Sequence, residues 1–151
     1  MSILVQGSTA YIANGEFNPK VTRCLDLLKN KAPQFHTWLS TYNLTVRAAA
    51  RSGANFQDNA IDIARTTFDA SDTWLASVIV HETIHFWQYR GGTYQAGQVA
   101  EQEANSFQMT VLRLIGAPAS EITYMMSQTG GHADLNGDGV YDWRDYQARS
   151  Y

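Results

Sequence analysis

The sequence predicts an α+β fold, and three observations carry that prediction. A strongly apolar stretch over residues 72–90 has a capping residue at each end, a second amphipathic stretch stops at Gly116-Ala117-Pro118, and short runs between residues 45 and 65 alternate apolar with polar side chains. A chain of 151 residues with 44% hydrophobic and 17% charged content fits one domain, residues 1–151, with a proper core. No linker or internal repeat divides it.

The elements follow in order. Residues 3–17 read as a strand or hairpin around Asn14-Gly15. Pro19, suited to a first helical turn, opens a helix to about residue 30, which resumes over residues 33–41. Residues 45–50 and 59–65 read as strands flanking a turn region at Gly53-Ala54-Asn55, with Ile61 and Ile63 alternating with Asp62 and Ala64. Ser71 or Asp72 offers the N-cap oxygen of the helix over residues 72–90, Gly91-Gly92 stops it, and Arg90 places a cation in its last turn, where the helix dipole favours one. Trp74, Leu75, Val78, Ile79, Val80, Ile84, Phe86 and Trp87 surround its axis, so this helix is expected to be buried and central. The next helix starts near Tyr94 or Gln98 and ends near Ile115, with Ala100, Ala104, Phe107, Val111, Leu114 and Ile115 as its apolar stripe. A last helix over residues 118–127 leads through Gly130-Gly131 into a polar loop.

The central helix carries His81-Glu82-Thr83-Ile84-His85. At about 3.6 residues per turn, two histidines four apart project from one face and can grip one metal ion. Glu82 falls roughly 100° round the axis, where its carboxylate can take a proton from a water at the metal's open position. Polar groups in a buried helix need partners, and a metal ion supplies one. Catalytic zinc usually has three protein ligands, so a third is expected downstream. Glu101 and Glu103 flank the apolar stripe of the following helix, and helical angle alone does not choose between them. The length of the turn between two antiparallel helices brings Glu101 level with His85 and favours Glu101, with Asn105 on the same face as a hydrogen-bond partner for a ligand histidine. The expected zinc set is therefore His81, His85 and Glu101, with Glu82 as general base.

A second metal signal lies at the carboxyl end. Over residues 134–145, Asp134, Asn136, Asp138, Asp142 and Asp145 place oxygen side chains at positions one, three, five, nine and twelve of a calcium loop, with Gly139 at six and the Val140 carbonyl at seven. Aspartate rather than glutamate at the twelfth position predicts weaker calcium binding. His132 stands beside this loop, and His36 falls in an amphipathic segment and reads as structural.

These motifs carry resemblances. His81-Glu82-Thr83-Ile84-His85 followed by Glu101-Gln102-Glu103-Ala104-Asn105 resembles the gluzincin group of zinc metallopeptidases, over about residues 70–116. The stretch LASVIVHETIHFWQY is similar to peptidase domains found with bacterial secreted toxins, and the carboxyl-terminal loop resembles those of dockerin and EF-hand domains. The gluzincin resemblance implies a zincin-like minimal core, a glutamate ligand on the second helix matching Glu101, and a strand beside the cleft that pairs with an extended peptide. The chain departs from the group in having Asn105 where an acidic residue is usual, and no tyrosine or histidine matches the group's transition-state donor. No His or Asp follows His85 at the spacing of the metzincin sister group.

The expectation is a zinc-dependent metallopeptidase acting on proteins or peptides. The competing expectations are a calcium-stabilised binding module with a non-catalytic zinc site, and a zinc hydrolase of non-peptide amides. A net charge of -3 without a basic stripe argues against nucleic acid as partner. The single cysteine, Cys24, forms no internal disulfide and reads as a buried thiol. No apolar run is long enough for a membrane span, and the amino terminus lacks the pattern of a signal peptide. Weak calcium binding and the toxin-domain resemblance suggest action outside the producing cell, by another export route.

Overall fold

In the computed structural model, which describes residues 3–91 and 98–127, the chain opens with a short strand, β1 (Leu4–Gln6), and turns into the helix α1 (Asn14–Lys31). Asn14-Gly15 thus starts a helix instead of turning a hairpin, and Pro19 lies inside that helix. The reason is the apolar stripe Phe17, Val21, Cys24, Leu25 and Leu28, all buried, which straddles the proline. Burying one large apolar side chain is worth about 1.5–3 kcal/mol. Several such residues outweigh the roughly 3 kcal/mol that an interior proline costs a helix.

Pro33 then begins α2 (Pro33–Thr41), as its preset backbone angle favours. Three strands follow: β2 (Thr45–Ala48), β3 (Gly53–Asn55) and β4 (Ala60–Ile63). The expected turn region at residues 53–55 is itself a strand. The reversal falls after it, where Asn55 Oδ1 accepts the Asp58 N–H at 2.9 Å and Asn59 takes the left-handed conformation at φ 54°. Asparagine tolerates that region better than most residues, and its side chain helps to hold the turn. The Asn59 amide donates to the carbonyls of Tyr42 and Asn43 at 2.9 and 3.0 Å, which ties the turn to the end of α2. The sheet order is β1-β2-β4-β3, with β1, β2 and β4 parallel and β3 antiparallel at one edge.

A helical turn, α3 (Arg65–Phe68), leads into α4 (Asp72–Arg90). Ser71 is the N-cap, its Oγ accepting the Trp74 N–H at 3.1 Å, whereas Asp72 pairs with Arg23 at 3.0 Å. Helix α4 touches α1, α2, α5, β3 and β4 and so forms the centre of the molecule. Leu75, Ala76, Ile79, Val80, Ile84 and Phe86 are buried from different sides of its axis. Only near its end does it surface, where Trp87 stacks on Trp38 and Tyr89 on Phe56.

The second long helix, α5 (Gln98–Leu114), packs along α4. Its buried stripe uses Leu112 where the sequence suggested Leu114, which is exposed. Gly116 at φ 75° ends it, with the Ala117 N–H returning to the Leu112 carbonyl at 2.9 Å. The helix α6 (Ala119–Met126) closes the described chain. Among the described residues no helix is long and apolar enough to cross a membrane. The calcium-loop positions Asp134, Asn136, Asp138, Val140, Asp142 and Asp145, together with Tyr94 and His132, lie outside the described residues.

Candidate metal centre

Halfway along α4, one turn apart, His81 and His85 bring their Nε2 atoms to 3.2 Å of each other. Both residues are about 95% buried, where α4 packs on α5. The Glu101 carboxylate enters from α5 and spans the pair, one oxygen 3.0 Å from His81 Nε2 and the other 3.2 Å from His85 Nε2. Glu82, also buried, has an oxygen 4.0 Å from His81 Nε2. One ligand atom each from His81, Glu82 and His85 fits within 4.8 Å, so this buried group could hold a metal ion. Nitrogen and carboxylate donors converging at such distances match the ligand types of zinc and related transition metals.

Glu103 goes elsewhere. Its Oε1 accepts from Gln88 Nε2 at 2.7 Å, and its own side chain is exposed. The two glutamates are two residues apart, so they diverge by roughly 200° round α5 and only one can face the histidines.

Asn105 does not hold a ligand histidine. Its Nδ2 is buried and has no hydrogen-bond partner among the described residues. Glutamines take that part. Gln108 Oε1 lies 2.9 Å from His81 Nδ1, and Gln88 Oε1 lies 2.8 Å from His85 Nδ1. Gln108 follows Glu101 by seven residues, two turns on, and so shares its face of α5. That spacing was visible in the sequence. The register that sets Gln108 opposite Ser77 and His81 was not.

The electrostatics follow from burial and two carboxylates. Desolvation by itself pushes the His85 imidazole down, but the hydrogen bond to Glu101 and the charges of Glu82 and Glu101 reverse this and hold it up to about 9. Without a metal the cluster is therefore closed by a protonated His85 facing Glu101. Outside the cluster, His36 lies part-exposed on α2, held below its ordinary value by burial. Burial pushes the Cys24 thiol up to about 12, far from the range of a reactive thiolate.

No protein-family model, curated protein or solved structure matches the chain. The reading of the centre therefore rests on its own chemistry.

Proposed function

We propose that this protein is a zinc-dependent metallopeptidase, with His81, His85 and Glu101 as zinc ligands and Glu82 as general base. One observation carries the reading: a buried carboxylate bridges two histidine Nε2 atoms at 3.0 and 3.2 Å, while a second carboxylate stands 4.0 Å from the nearer of them. A purely structural zinc site usually closes all four positions with protein ligands and has no use for a further carboxylate. Two neutral nitrogens and one carboxylate fit a catalytic zinc and leave a place for water.

Zinc, when bound, would acidify that water and polarise the scissile carbonyl. Glu82 takes the water's proton and hands it to the departing amine. His81 and His85 keep Nε2 toward the centre because Gln108 and Gln88 occupy the Nδ1 sides. The edge strand β3 contacts α4 and is antiparallel to β4, so an extended peptide adding to its free edge would run near the centre. The same reading extends, on sequence alone, to calcium at residues 134–145 and to work outside the producing cell.

A metal-free alternative has its own support, since the protonated His85 and Glu101 already satisfy each other as a buried polar network. A digest of a mixed protein pool, read by mass spectrometry, separates the two. New peptide termini that appear with zinc, vanish with chelator and are missing with Glu82→Gln support the peptidase. Identical termini in all three samples contradict it.

A further inference from the structure

Each histidine of the centre is backed by a glutamine, and each glutamine is anchored differently. An amide side chain could in principle face a ring nitrogen with either its oxygen or its NH2 group, so the partners beyond it decide the orientation. Gln88 Nε2 lies 3.2 Å from the Ala100 carbonyl and 2.7 Å from Glu103 Oε1, two groups that only accept. Its NH2 must face them, and its oxygen must face His85 Nδ1.

Among the described residues, Gln108 Nε2 has a single anchor. Its Nε2 lies 3.0 Å from Ser77 Oγ, a hydroxyl that can donate or accept. The Ser77 hydrogen, however, is spent on the Trp74 carbonyl at 2.7 Å, so Ser77 Oγ is left to accept. The direction of the whole chain, from the Trp74 carbonyl through Ser77 and Gln108 to His81, is thereby set. Its end is an N–H on His81 Nδ1, which turns Nε2 to the Glu101 carboxylate, 3.0 Å away, and the ligand cluster.

We propose that Ser77 is a positioning residue of the metal centre: through Gln108 it holds a hydrogen on His81 Nδ1 and keeps Nε2 turned to the ligand cluster. All three side chains of this relay are buried, so bulk water does not offer the amide an easy substitute. His85 depends on no single group in this way, because losing Glu103 leaves Gln88 anchored on the Ala100 carbonyl. The inference predicts an asymmetry. Removing the Ser77 hydroxyl disturbs the centre, while removing the Glu103 carboxylate, also one glutamine away, does not.

Nitrogen-15 NMR of the histidine rings tests this directly. The metal-free protein is read at about pH 10, above the His85 value of about 9. There the wild type and Glu103→Ala should carry a hydrogen on His81 Nδ1, and Ser77→Ala should show that hydrogen shared between the two ring nitrogens of His81. In the zinc-loading arm, which rests on the proposed function, Ser77→Ala should weaken zinc binding about 10-fold or more, as loss of an outer hydrogen-bond partner does. Glu103→Ala should stay within about twofold of wild type, since Gln88 keeps one anchor. An unchanged His81 tautomer in Ser77→Ala would overturn the proposal, as would the same scrambling of His81 in Glu103→Ala. If the wild type binds no zinc, the peptidase reading fails, and the metal-free spectra still decide the role of Ser77.

Discussion

Glu82 and Glu101 are both buried carboxylates beside the same histidines, at different distances from them. Glu101 reaches both Nε2 atoms at 3.0 and 3.2 Å, whereas Glu82 stands 4.0 Å from the nearer one. Replacing Glu82 by glutamine should therefore leave zinc content at wild-type level and reduce peptide hydrolysis by about 10²–10⁴-fold, the usual contribution of a positioned general base. Turnover assays on protein of verified zinc content check this, and full activity would remove Glu82 from the mechanism. His85 supplies a second prediction. Its pKa in the metal-free fold, about 9, exceeds the ordinary value of 6.5. A raised folded-state pKa contributes stability that is fully present below about 6.5 and is lost as pH rises through about 9. The metal-free protein should accordingly lose melting temperature between those limits. Mutating His85 to glutamine should flatten that part of the profile, and an equally steep fall in the variant would assign the effect to other groups.

At the scale of elements, α4 was legible because every local signal agreed: Ser71 as cap, apolar residues all round, and a glycine at the stop. The start of α1 and the strand β3 were not, because there the punctuation misled. Pro19 suggested a helix start but is overridden by the stripe from Phe17 to Leu28, and Gly53 suggested a turn that Asn55 and Asn59 make instead. The His81 and His85 pair could be read from spacing within one helix. Gln88, three residues after His85 on the same helix, was within reach of the same spacing argument, but the parts of Gln108 and Ser77 depend on the register between α4 and α5, and glutamine and serine carry no signature of their own. Gly116 tests the reading of α5's end. It holds φ at 75° in open space, so Gly116→Ala adds no clash and isolates the cost of a left-handed backbone, about 1 kcal/mol. Chemical denaturation should report a loss of that size, and an unchanged midpoint would mean that the helix end relaxes freely.

For the molecule as a whole, the cluster lies on the helix that the other elements surround: α4 meets α1, α2, α5 and two strands, and the clustered side chains project from α4 and α5. Anything that binds the folded state alone stabilises it by mass action. Calcium at residues 134–145 should therefore raise the melting temperature in the range of about 10⁻⁴–10⁻³ M, the affinity expected of a loop with aspartate at its twelfth position. Saturation already at micromolar calcium, or no shift at all, would remove the argument for action outside the cell. Zinc should act on the same melting transition through the α4 and α5 pair. The most direct test of the account is a zinc titration by calorimetry of wild type, Glu82→Gln, Glu101→Ala and Glu103→Ala. The wild type should bind one zinc per chain, a site retained by Glu82→Gln and Glu103→Ala and lost or greatly weakened in Glu101→Ala. No zinc binding by the wild type, or loss on removing Glu103 with retention on removing Glu101, would contradict it.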